Sequence, residues 1–214
     1  MPINTALLKR KILNAGAIWI SYVKLIPDWF KLNKYSLVID CGANVGHITK
    51  LLSSTGAKVI AFEPDPIAFE ELRKRCGRKK NITLIQKGVW CKNSHLQFYA
   101  HKESTGSETS YTTGSSIMAE KNNICVTKGQ SIEVLDLVEF MKEQKQKIDL
   151  VKLDVEGAEI EILHHIIDKE GWLLFDRMYV ETHETKIPSH LAQLQLIKQQ
   201  LKEKGITNIK LNWI

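Results

Sequence analysis

Residues 37–65 read LVIDCGANVGHITKLLSSTGAKVIAFEPD, and this stretch decides the fold. Leu37, Val38 and Ile39 have the unbroken apolar character of a strand buried on both faces, and the run ends in Asp40. Gly42, Ala43, Asn44 and Gly46 then make a turn, after which Val45, Ile48 and Leu52 share one face of a helix. Gly56 stands where a helix C-terminus favours a left-handed residue, and a second buried strand, residues 59–62, ends in Glu63. The unit is β-α-β.

Glycines let the backbone of such a turn approach a ligand, and a helix N-terminus presents free N–H groups. An acid about 20 residues downstream, at the tip of the second strand, can accept hydrogen bonds from both ribose hydroxyls, and Glu63 holds that position. At an exposed strand tip it is expected to have few packing contacts. The glycines read G-x-x-x-G rather than G-x-G-x-x-G, and Asp40 precedes them. Its carboxylate would repel a pyrophosphate and attract a cationic amine, which favours the ammonium end of S-adenosylmethionine over a dinucleotide. The cofactor-binding residues expected here are Asp40, Gly42, Ala43, Asn44, Gly46, Glu63 and the adjoining Pro64.

Downstream, Asp65 and Pro66 signal a helix start, with Phe69, Leu72 and Cys76 as its buried stripe and Gly77 as its stop. Residues 82–86 read as a strand, followed by Gly88, Val89 and Trp90 and an extended run at 96–100. Residues 101–123 are rich in Ser, Thr, Gly and Glu, and loops beyond about 12–15 residues are either functional lids or unstructured excursions. The functional reading is a substrate-covering loop with Ser115 and Ser116 near the site. Residues 125–127 read as a short strand, and Ser131 as the cap of a helix with the stripe Val134, Leu137, Val138 and Met141. A buried strand at 148–153 ends in Asp154, and Glu156, Gly157 and Glu159 open a helix with the stripe Ile160, Leu163 and Ile167. One more strand, 178–181, precedes Thr182, His183 and Glu184, and a helix at 189–204 leads to a last strand at 208–213.

Four segments now carry a resemblance: IDCGANVGHITKLL (39–52), VIAFEPDPIAFEEL (59–72), VKLDVEGAEIEIL (151–163) and YVETHE (179–184). In this order they resemble the FkbM-type methyltransferases, enzymes that use S-adenosylmethionine and mostly methylate hydroxyl groups, often on sugars or polyketide products. The resemblance implies an α/β fold with a doubly wound, mostly parallel sheet, the Rossmann-like class I methyltransferase fold. It also implies that the turn after the third strand lines the adenine side of the cofactor, at Gly88 and Val89. Such enzymes often close the sheet with an antiparallel pair, whereas one strand is evident here after residue 181, so the C-terminal edge is a candidate for pairing with another subunit.

In a parallel sheet, ligands bind at the carboxyl ends of the strands, where Asp40, Glu63, Asp154, Glu181 and His183 all fall. An alcohol is a poor nucleophile until a base removes its proton. His183 is the base expected from sequence, with Asp154 or Glu156 orienting the acceptor hydroxyl or the imidazole. Asp154 and Glu181 could share a divalent ion, but two carboxylates are a thin signal, and no metal is expected.

A chain of 214 residues, 25% charged and 43% hydrophobic, fits one globular domain. The expected division is an N-terminal helical extension, 1–34, and a methyltransferase domain, 35–214. The four cysteines show no C-x-x-C pair, which suits reduced thiols and a cytoplasmic protein. The net charge of +6 is drawn partly from Arg73, Lys74, Arg75, Arg78, Lys79 and Lys80 at a helix end. That cluster lacks interleaved aromatics, and no Asp/Asn-Pro-Pro-aromatic run, in which many methylases of nucleic-acid amino groups resemble one another, appears at the fourth strand, so nucleic acid is not the expected partner. A small-molecule or glycan acceptor is. Residues 5–30 read as a helix packed on the domain, with membrane contact through Trp19, Tyr22 and Trp29 as the less favoured reading. The alternative functions are a non-catalytic cofactor-binding scaffold and a nucleic-acid or protein methylase.

Overall fold

The computed structural model describes residues 5–101 and 124–213. Helix α1 (Thr5–Trp29) precedes β1 (Leu37–Cys41), α2 (His47–Ser53), β2 (Lys58–Phe62), α3 (Pro66–Cys76) and β3 (Ile82–Ile85). The chain then forms β4 (Gly88–Trp90), β5 (Ser94–His101), β6 (Ile124–Asp136) and α4 (Leu137–Lys142). It continues through β7 (Ile148–Leu153), α5 (Glu159–Asp168), β8 (Phe175–Val180), α6 (His190–Glu203) and β9 (Ile209–Lys210).

Six strands make one parallel sheet in the order β3-β2-β1-β7-β8-β9. The chain winds outward from β1 to β3 and returns to β7 on the other side of β1, which creates a crevice at the carboxyl ends of β1 and β7. Strand side chains alternate between the faces. Ile39, Phe62, Val151 and Leu153 pack into a core with α4, α5 and α6. Val38, Val59 and Leu150 pack on the opposite face with Leu25, Leu52, Tyr179 and Trp213. Asp65 caps α3 as expected, accepting the Ile67 N–H at 2.8 Å.

The segment before α4 is a strand, not a helix capped by Ser131. Residues 131–136 belong to β6, which pairs antiparallel with β5 and parallel with β4 in a second, three-stranded sheet. Ile132 and Val134 point inward with Phe98, a period-two pattern that the helical spacing of Val134, Leu137 and Met141 concealed. The helix starts at Leu137, capped by Asp136, which accepts the Val138 and Glu139 N–H groups. The final strand is also shorter than expected, Ile209–Lys210, although the Trp213 N–H still bonds the Val180 carbonyl at 3.0 Å. Ser115 and Ser116 lie outside the described residues.

One side of α1 packs on the domain. Leu25 is buried against the core, and Asp28 accepts the Tyr179 hydroxyl at 2.6 Å and faces Arg177 at 3.3 Å. No helix of the described residues is long and apolar enough to cross a membrane.

Candidate active site

The turn after β1 passes over the end of β7. Gly42, Asn44 and Gly46 take φ values of 77°, 48° and 85°. A Cβ on Gly42 would lie 1.7 Å from the Asp154 carbonyl oxygen, so only glycine permits this crossing. Every N–H from Gly42 to Gly46 is engaged within the protein. Those of Gly42 and Ala43 donate to the Phe62 carbonyl, that of Asn44 to Glu63 Oε2 at 2.7 Å, that of Val45 to Asn44 Oδ1, and that of Gly46 to the Ala43 carbonyl. A phosphate cradle needs free N–H donors, and this turn offers none.

Glu63 is buried, not exposed as its place at a strand tip suggested. Its Oε1 accepts the Asp65 N–H at 2.8 Å while Oε2 accepts that of Asn44, so it ties the glycine turn to the end of β2. Burial pushes its pKa up to about 8, against the opposing pull of those N–H groups. Each oxygen keeps a lone pair beyond its one backbone donor. Next to it, a Cβ on Gly88 would fall 3.8 Å from Pro64 Cβ, which places Pro64 and Gly88 side by side, with Val89 buried in β4. A ligand carrying vicinal hydroxyls fits this arrangement, and a pyrophosphate does not.

Asp40 faces inward and has no exposed surface. Thr49 Oγ1 donates to its Oδ2 at 2.6 Å, and Lys152 Nζ stands 3.4 Å from its Oδ1. The carboxylate is therefore enclosed, with Thr49 and Lys152 against it, which corrects the expectation that it meets a ligand's ammonium directly; what the turn lacks for a pyrophosphate is free N–H groups. Lys152, missed in the sequence, joins both crevice strands: its Nζ donates to the Gly42 carbonyl at 2.7 Å and lies 3.1 Å from Asp154 Oδ2. Burial would lower its pKa, but Asp154 and Asp40 keep it well above the usual lysine range. The available signal was a lysine inside the apolar run IDLVKL.

Beyond β7, Glu156 and Gly157 take positive φ values of 59° and 118°. Glu159, expected only as a first-turn acid of the helix, also holds this turn. Its carboxylate is buried and accepts the Val155 N–H at 2.8 Å and the Gly157 N–H at 2.9 Å. His183 Nδ1 lies 3.1 Å from Glu159 Oε1, and its Nε2 lies 3.3 Å from Glu156 Oε2 and 3.6 Å from Glu181 Oε1. Burial pulls the His183 pKa down, but Glu159 and then Glu156 override it and hold the imidazole well above its ordinary value. The structure thus brings His183, Asp154 and Glu156 together as expected, but it encloses His183, with both ring nitrogens facing carboxylates. Asp154, Glu156 and Glu181 are the partly exposed members. Burial, followed by the proximity of Asp154, raises the Glu181 pKa to about 8. Asp154, Glu159 and His183 also have ligand atoms within 4.8 Å of one another, close enough to hold a metal ion in place of the His183 proton.

The cations at the end of α3 are largely spoken for. Arg73 and Lys74 pair with Glu70 and Glu71, and Arg75 donates to the Val45 carbonyl.

Comparison with known proteins adds a family. The model of the methyltransferase FkbM domain matches residues 40–205. "Methyltransferase 1" of Beauveria bassiana (strain ARSEF 2860) is 26% identical over 71% of this chain and 66% of its own length. "Methyltransferase sdnD" of Sordaria araneosa is 27% identical over 87% of this chain and 80% of its own. Among solved structures, the methyltransferase FkbM from Methylobacillus flagellatus KT aligns over 80% of this chain and 38% of its own, at 14% identity and a TM-score of 0.47.

Proposed function

Because the chain belongs to the FkbM methyltransferase family, we propose that it transfers a methyl group from S-adenosylmethionine to a hydroxyl oxygen of a sugar, glycan or small natural product. The observation that carries this reading is the crevice between β1 and β7, where a turn without free N–H donors meets a cluster of partly exposed carboxylates. When bound, the cofactor supplies an activated methyl on a sulfonium.

Glu63 would hold the ribose hydroxyls through its remaining lone pairs, fixed by the Asn44 and Asp65 N–H groups. Pro64, Gly88 and Val89 would border the base. Asp154 and Glu156 give the crevice a negative rim suited to a cationic ligand. Glu181, partly exposed and with a pKa of about 8, takes the role first expected of His183 and removes the acceptor's hydroxyl proton. His183 is then a positioning residue, its charge holding Glu156, Glu159 and Glu181 around one point. Alignment of nucleophile and methyl carbon supplies much of the remaining rate.

The test is turnover of methyl-labelled S-adenosylmethionine with a panel of hydroxylated acceptors. Label on an acceptor oxygen supports the reading. Label only on nitrogen, or binding of the cofactor with no transfer to any acceptor, overturns hydroxyl methylation.

A further inference from the structure

Helix α1 has two apolar faces, and only one is used. Leu25, Ser21 and Asp28 dock on the domain. On the opposite side Trp19, Val23, Ile26 and Phe30, spaced i, i+4, i+7 and i+11, form a stripe in solvent, with Phe30 84% and Trp19 68% exposed. Ile20 extends it, and Tyr35, also exposed, follows in the segment between α1 and β1. Soluble surfaces rarely leave so contiguous an apolar strip bare, and its chemistry calls for a partner.

The charge of the same segment identifies which. Residues 1–34 contain Lys9, Arg10, Lys11, Lys24, Lys31 and Lys34 and a single acid, Asp28, so they carry +5 of the chain's net +6. The one acid is buried against Tyr179 and Arg177, and of the cations outside it faces Lys31, at 4.0 Å, so the segment keeps a positive excess. Lys31 is 68% exposed beside Phe30, with its ammonium 4.0 Å from Asp28, and Lys34 stands 5.0 Å over the ring of Tyr35 a few residues on. Two copies meeting stripe to stripe would bring +5 against +5. An anionic surface meets both the charge and the apolar strip, and the helix is not long and apolar enough to span a bilayer.

We propose that the exposed stripe of α1 lies in the interfacial layer of an anionic lipid surface, with Trp19, Val23, Ile26 and Phe30 inserted and Lys31 and Lys34 over the headgroups. The proposal stands independently of the methyl-transfer reading. Anchoring of this kind combines apolar insertion with charge attraction, and the second part is screened by salt.

The experiment is cosedimentation of the full chain with vesicles of phosphatidylcholine alone and of phosphatidylcholine with about one-third phosphatidylglycerol. The chain is expected to sediment with the anionic vesicles, less so at high salt, and poorly with the neutral ones. The triple substitution Trp19→Ser, Val23→Ser, Phe30→Ser is expected to weaken that partition by roughly tenfold or more while the melting temperature stays that of the parent. If the triple variant misfolds, Lys31→Glu with Lys34→Glu serves instead, and is expected to reduce binding to the anionic vesicles only. Absence of binding by the parent, equal binding to both vesicles, or binding unaffected by the substitutions would overturn the proposal. So would a dimer in light scattering that the triple variant abolishes, which would give the stripe to a second copy.

Discussion

Glu63 ties the glycine turn to the end of β2, and on the proposed function the same carboxylate serves the site. Replacing it by alanine strands the N–H groups of Asn44 and Asp65, and unsatisfied buried donors cost about 1–3 kcal/mol each. Glu63→Ala is therefore expected to lower the melting temperature as well as cofactor affinity, and calorimetric unfolding checks the first. Lys152 makes the sharper case. Lys152→Met leaves Asp40 buried without its cation, and breaking a buried pair costs about 3–5 kcal/mol. Adding Asp40→Asn is expected to restore part of that loss, measured by urea denaturation; no recovery would mean that Lys152 acts through Gly42 or Asp154 instead. On the proposed mechanism Glu181 sets the pH dependence of turnover. Below a pKa of about 8 its carboxyl holds a proton and cannot accept another, so kcat/KM is expected to rise as pH passes upward through 8. Glu181→Gln is expected to flatten that limb in an initial-rate profile; an unchanged limb after the substitution rules Glu181 out as the base. The strand-end acids were all legible in the sequence, because each follows an apolar run. Which of them faces solvent was not, because Asp40 and Glu63 are hidden by Lys152, Thr49 and the glycine turn, residues distant in the chain.

The turn between β7 and α5 is held by one side chain. Glu159 receives two backbone N–H groups and faces His183, whose pKa it raises. A histidine with a raised folded-state pKa contributes stability that is complete below its unfolded value near 6.5 and is lost as pH rises through the folded value. Glu159→Gln lets that folded value fall, so the alkaline loss of stability is expected to begin at lower pH, as read from denaturant midpoints across a pH series. A pH dependence identical to the parent's would show that Glu159 does not hold the imidazolium. The β-α-β unit was readable because its signals are local: apolar runs, a glycine turn and a capping Asp65. The second sheet was not. Residues 131–136 satisfy a helical spacing and a strand alternation alike, and the partner that decides between them, β5, is more than thirty residues away in the pairing Ser94↔Val134.

Across the whole molecule, the doubly wound order puts the glycine turn and the turn after β7 against each other, so the crevice is a product of topology. That much followed from alternating strands and helices. The distribution of charge did not: the cluster at the end of α3 drew attention in the sequence, but two of its cations, Arg73 and Lys74, are paired on their own helix, and the net positive charge resides mainly in the first 34 residues. The central claim is that the crevice binds S-adenosylmethionine through Glu63, and it is tested most directly by titration calorimetry of the parent and Glu63→Ala with S-adenosylhomocysteine. Above a pH of about 8, where the Glu63 carboxyl is ionised, hydrogen bonds to a charged acceptor are worth about 1.5–3 kcal/mol, so at such a pH the parent is expected to bind and the variant, still folded at the measuring temperature, to bind roughly ten- to a hundredfold more weakly. Equal affinity in the two proteins, or no heat of binding from a folded parent, would contradict the account.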